Sequence, residues 1–239
     1  MMLALVLWLA APVWSDVVAR IDSGAVTSNP EMLRGAIADC DTLASDTAAS
    51  ARTRELARYG AAYAAWRLAF LPGVDTTETA KRLGAAELNL RGVIAAHPES
   101  AEAHALLAAV LGSIIRAGGD AMRYGPDSQH EVETALRLEP NNPRVRLEEG
   151  LNAFHTPAEY GGGLANAEAA LRQAIALLER EPPDRPWPSW GGFDAHVWLG
   201  QVLAARGDKA AARKEYERAL TFWPQSGWVK QVLLPALDR

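Results

Sequence analysis

The chain has a single cysteine, Cys40, in 239 residues, so no disulfide can form within it. Its setting, AIADCDTLA, is that of a small core residue on a helix, and no base stands beside it to activate the thiol. Runs of β-branched residues are scarce, while Ala, Leu and Arg abound, so helix formers dominate. No basic excess is present: the net charge is −5, which argues against a nucleic-acid surface. Five histidines occur, none paired with another at helical spacing, and there is no HExxH and no Cys–His spacing for zinc. Gly161-Gly162-Gly163 precedes a helix, but no Lys-Ser/Thr follows and no strand leads in. These glycines therefore read as a tight reversal and not as a phosphate loop. Neither a nucleophile elbow nor a Ser-His pair is found. The consecutive carboxylates Glu148 and Glu149 diverge around a helix instead of facing one substrate.

What remains is a chain that is 49% hydrophobic and 22% charged, the balance of a globular domain. Residues 1–15, MMLALVLWLAAPVWS, carry no charge and are almost wholly apolar. They are too short for a membrane span and fit the core of a signal peptide, with Val13 and Ser15 as the small residues before a cut at Asp16. The mature protein is then expected over residues 16–239, in the periplasm or secreted.

The strongest pattern is periodic. Pro98, Pro140, Pro182 and Pro224 stand 42 positions apart, each closing a helix-like stretch. A fixed period of this size marks a repeat architecture. Residues 195–224 are the clearest unit. Leu199, Gly200 and Leu203 share a face of one helix, and Ala212, Tyr216 and Ala219 share a face of the next. Gly207-Asp208 supplies the turn and the N-cap. The small Gly200 and Ala212 permit close approach of the two helices, and Tyr216 fills the space beside them.

This unit resembles the tetratricopeptide repeat. Counting back from Pro224, Leu199, Gly200, Leu203, Ala212, Tyr216, Ala219 and Pro224 fall on motif positions, while His196 stands where Trp is usual. The resemblance implies an all-α fold: a right-handed α-α superhelix, a solenoid of about four helix pairs plus flanking helices. Earlier units are looser. Residues 50–70 pair with 75–97, after a helix at 30–46. Residues 99–117 pair with a helix over 127–139 opened by Ser128, across an extended loop RAGGDAMRYGPD. A helix capped by Asn142-Pro143 ends near Phe154 and pairs with 164–181 across HTPAEYGGG. Residues 226–237 close the stack. The loops AMRYGPDS and TPAEYGGGLANAE, with WLGQ and WVKQVLLPAL, are similar to an uncharacterised group of bacterial tetratricopeptide proteins, which implies an envelope setting.

Site candidates follow from the irregular segments. Arg123, Tyr124 and Tyr160 sit in the two loops and would form one polar-aromatic patch if both loops leave the same edge. Trp187 and Trp190 lie in a Pro-rich linker and are expected to make an exposed contact, whereas Trp198 and Trp228 are expected in the core. His104 and His196 share a repeat position and read as partly buried helix histidines. No catalytic residue, metal or cofactor is expected. The expected function is a non-enzymatic scaffold that binds a protein or peptide in the concave groove. The alternative is a small-ligand-binding accessory of an envelope transporter, with a pocket between residues 116–127 and 155–164. His155 beside a carboxylate in an open pocket would favour an enzyme instead.

Overall fold

The computed structural model describes residues 12–182 and 187–239. Most of the expected leader (residues 1–11) and part of the Pro-rich linker (183–186) lie outside the described residues. Among the described residues the chain is helical, without strands. Four helix pairs follow one another: α3 (Ala51–Leu68) with α4 (Thr76–Ala96), α5 (Ala101–Arg116) with α6 (Ala121–Leu138), α7 (Pro143–His155) with α8 (Leu164–Leu178), and α9 (Gly192–Ala205) with α10 (Lys209–Phe222). Ahead of them stand α1 (Trp14–Val26) and α2 (Pro30–Ser45), and a π-helical turn, Trp228–Leu233, closes the far end. The first helix of each pair packs against the first helix of the next. These helices, α3, α5, α7 and α9, form the inner layer, and the second helices form the outer one.

Local chemistry explains the boundaries. Asn29, Asp75, Asn142 and Asp208 each accept a backbone N–H of the first helical turn, at 2.8–3.1 Å, satisfying donors that the helix leaves orphaned. Pro30 and Pro143 occupy the first helical position, where a missing N–H costs nothing. At the other end, His97, Glu139 and Trp223 share one extended conformation, φ −126 to −139° and ψ 76 to 82°. Each precedes a proline, which forbids the helical region to its neighbour. The regular prolines therefore terminate outer helices.

Pair packing follows the repeat pattern. A Cβ on Gly200 would stand 2.4 Å from the Tyr216 ring, so only glycine allows α9 and α10 to approach this closely. Gly150 solves the same problem between α7 and α8, where a Cβ would meet Leu171 at 2.6 Å. Paired histidines also repeat: His104 bonds Glu131 at 2.5 Å and His196 bonds Glu215 at 2.7 Å, each tying an inner helix to its outer partner.

Three sequence expectations need correction here. Residues 121–127 are not loop: α6 begins at Ala121, capped by Asp120, whose carboxylate accepts the Met122 N–H at 2.9 Å. Pro126 lies inside this helix. The carbonyl it deprives of its helical donor belongs to Met122, a residue that is 86% exposed. Ser128, read as a cap, is buried mid-helix and donates to the Ala108 carbonyl at 3.1 Å. Trp228, expected in the core, is 43% exposed and meets the Trp198 ring edge-on.

Candidate functional site

On α3, Tyr59, Tyr63 and Trp66 recur at helical spacing and face inward. Three large rings on a concave surface leave much apolar area to cover, and the linker before α9 covers it. Trp187 meets Trp14, Tyr59 and Tyr63 edge-on at 5.3–6.0 Å. Trp190 stacks on Tyr63 at 5.5 Å and donates its indole N–H to the Tyr59 hydroxyl at 3.0 Å. Both tryptophans are buried. The expectation that Trp187 and Trp190 form an exposed contact is thereby overturned, because the rings of α3 draw them inward.

Arg144 of α7 anchors the linker. Its side chain is fully buried and bonds Glu102 at 3.0 Å, the Trp190 carbonyl at 2.7 Å and Glu181. A buried guanidinium is tolerable only when its donors are met in this way. One end of the inner groove is thus filled by the chain itself.

Beside this plug lies a cleft of about 310 Å³ between α1, α3, the linker, α9 and α10. Its floor is a second buried ion pair. Arg67 is held by Asp194, with one bond at 2.9 Å, and donates to the Tyr63 hydroxyl at 3.0 Å. The Arg67 guanidinium also lies 4.5–5.0 Å from the centres of the Tyr63, Trp66 and Trp223 rings. Its donors and its cation–π contacts are all internal. Trp190, Phe193, Phe222 and Trp223 wall the cleft, with Asp22 and Glu179 at its acidic side. Burial raises the Asp22 carboxyl above its usual range. The buried indole N–H of Trp187 approaches it without completing a hydrogen bond.

The open end of the inner face is different. Arg116 reaches over Phe70 and Trp198 at 5.3 and 5.6 Å and donates to Ser113 at 2.7 Å, which also takes the Trp66 indole N–H at 2.9 Å. Behind it Glu148 is buried with one oxygen unbonded. Burial first, then the Asp194 charge, pushes its carboxyl up to about 8, against the pull of Arg116 and Arg67. His155 packs edge-on against Trp198 and Phe154. Burial there and the charge of Arg116 lower its pKa. Among the described residues it has no hydrogen bond to a carboxylate.

The remaining sequence candidates do not converge. Arg123 and Tyr124 occupy the first turn of α6, where Arg123 lies over the Tyr124 ring at 4.9 Å. Tyr160 follows α7 in a short 3-10 turn and is 73% exposed. It borders an outer cleft of about 490 Å³ whose other wall is Gln129, Val132, Glu133 and Leu136 of α6. That wall begins more than a turn beyond Tyr124. The cleft therefore adjoins the 155–164 loop, as the small-ligand alternative required, but not the 116–127 segment. No metal-binding cluster of His, Cys, Asp or Glu occurs among the described residues. No described helix is long and apolar enough to cross a membrane.

No family model and no curated protein sequence matches the chain. Solved structures do. The HusA haemophore from Porphyromonas gingivalis superposes with a TM-score of 0.66 at 20% identity, covering 82% of this chain and 96% of that one. A thermophilic tetratricopeptide-repeat protein of Thermus thermophilus superposes with a TM-score of 0.59 at 18% identity, covering 93% and 100%. The fold is a tetratricopeptide-like solenoid. At these identities the likeness carries the fold alone, and the site must be argued from this chain's residues.

Residues 67, 144 and 194 escaped the sequence reading, and Glu148 was weighed only as one of two diverging carboxylates, although a signal for all four exists. Arg67 lies one turn from Tyr63, Glu148 one turn from Arg144, and Asp194 one turn from Trp198. Each is a charge in phase with an apolar or aromatic stripe, and a charge there must find a buried partner.

Proposed function

We propose that this protein is a non-catalytic binding protein that holds a compact ligand in the inner-face cleft beside Arg67 and Asp194. One observation carries the reading. The groove that an extended peptide would follow is occupied by the chain's own Trp187 and Trp190, anchored by Arg144. What stays accessible there is a half-open cleft of about 310 Å³ with aromatic walls, at the small end of the range of ligand pockets. The outer cleft at Tyr160 is larger but lined mainly by polar side chains, so it offers little apolar burial to drive binding. A neighbour of the same fold is named a haemophore, so this architecture is compatible with a compact cargo. The protein-or-peptide reading keeps only short segments that enter the cleft by one side chain. Export to the envelope, expected from residues 1–15, belongs to this reading and is tested by cell fractionation.

The experiment is native mass spectrometry of the purified protein after exposure to a metabolite extract, beside a Val26→Trp variant. Val26 is partly buried on the cleft wall, so an indole there fills it. The expected result is a small-molecule adduct on the native protein that the variant loses while keeping its circular dichroism spectrum. An adduct that survives in the variant places the ligand elsewhere and overturns the reading.

A further inference from the structure

The cleft's polar inventory says more than its volume. One guanidinium and one imidazole line it, and both already have acidic partners: Arg67 has Asp194 and His196 has Glu215. The Trp190 indole N–H is likewise used, by Tyr59. Two further lining carboxylates, Asp22 of α1 and Glu179 after α8, have no cationic partner among the described residues. They come from opposite sides of the cleft in sequence, yet the fold sets both around one aromatic bowl. A carboxylate accepts and never donates once ionised, and aromatic faces attract cations. The bowl already shows this preference, since Arg67 lies against two of its rings, Tyr63 and Trp223.

We infer that the ligand held between Asp22, Glu179 and the rings of Trp190 and Trp223 is a small organic cation, an alkylammonium or alkylguanidinium. The inference rests on the compact-ligand reading and names its ligand class. An anionic ligand would meet two carboxylates without a cationic partner and, among the described residues, no free guanidinium or ammonium there. A neutral apolar ligand would leave Asp22 desolvated and uncompensated, a cost that a cation removes. The cation's charged head sits by Asp22, and its alkyl body lies along Trp190, Phe193 and Trp223.

The test is isothermal titration calorimetry of the purified full chain with three probes of similar length: agmatine, hexanamide and hexanoate. Tryptophan fluorescence is followed in parallel, because Trp190 and Trp223 line the cleft. Three variants accompany the native protein: Asp22→Asn, Glu179→Gln and Val26→Trp. Agmatine is expected to bind most tightly. Asp22→Asn, whose carboxyl is partly buried, is expected to weaken it about tenfold. Glu179→Gln, which is exposed, should weaken it only about twofold. Neither variant should shift the melting temperature by more than a few degrees. If hexanamide or hexanoate binds as well as agmatine and Val26→Trp abolishes it, the cleft is the site and the cation assignment is wrong. Agmatine binding that Val26→Trp leaves intact overturns both the assignment and the cleft. Absence of binding by all three probes overturns the cation assignment.

Discussion

Glu148 makes the stability of this protein depend on pH in a direction opposite to that of most carboxylates. The group is buried, faces Asp194, Arg116 and Arg67, and has its pKa raised from 4.5 to about 8. In the unfolded chain it ionises near its ordinary value. Between the two values the native state holds a proton that the unfolded state has lost, so stability falls as pH rises. The contribution is fully present below about pH 4.5 and is lost progressively up to about pH 8. At about 1.36 kcal/mol per unit, the whole span corresponds to on the order of 4–5 kcal/mol. Water penetration and relaxation of the interior reduce this to about 2–4 kcal/mol. Glu148→Gln keeps the shape and removes the titration. Urea unfolding at about pH 5.5, 7 and 8.5 is the assay. The variant should exceed the native protein slightly at the lowest pH, where about a unit of the span is already lost, and by about 2–4 kcal/mol at the highest. Arg116→Met supplies a control with a definite sign. Arg116 pulls the Glu148 pKa down, so its removal should move the pH-sensitive window upward. Parallel pH profiles for the native protein and Glu148→Gln would refute the reasoning. So would a downward shift in Arg116→Met.

Three further outcomes follow from the packing. Gly200→Ala places a Cβ 2.4 Å from Tyr216 and should cost about 1–3 kcal/mol in chemical denaturation; adding Tyr216→Leu should recover part of the loss, and full additivity would show that the two residues do not meet. Arg144→Ala strips the linker of its anchor and removes the guanidinium bonded to Glu102, Glu181 and the Trp190 carbonyl, so it should cost about 3–5 kcal/mol, with Arg144→Met costing less because it restores volume; near-identical melting curves for native protein and Arg144→Ala would contradict the anchoring role. Tyr59→Phe removes the acceptor of the Trp190 indole N–H, which should cost about 1–3 kcal/mol and shift tryptophan emission, and an unchanged spectrum would mean that Trp190 is not held there.

The fold was legible because the repeat's rules are local. Gly200 with Tyr216, Ala212 with Ala219, and a proline after each outer helix all act within one helix pair, so a single unit reveals them. N-caps were legible for the same reason: Asp208 and Asn142 each act within a few residues. The Gly125-Pro126 pair misled. It reads as part of a loop, but Asp120 starts the helix upstream, and the carbonyl that Pro126 orphans belongs to the exposed residue Met122. That cancellation depends on exposure, which a sequence does not display.

The inner face was not legible because it is assembled by residues far apart in the chain. A Pro-rich stretch with two tryptophans reads as an exposed connector as long as it is considered alone. Its placement is decided by Tyr59, Tyr63 and Trp66, over 120 residues earlier, whose rings would otherwise face water across the concave surface. Arg144 then fixes the linker's carbonyl, and Arg67 with Asp194 sets the floor of the cleft that remains. The same logic ties function to fold. A solenoid that used its groove for an extended peptide would have to keep those aromatic rings uncovered, at a cost in solubility. Here the chain covers them itself and leaves a compact recess beside Arg67 and Asp194. The functional question therefore passes from the repeats, which are generic, to the single non-repeating segment that closes them.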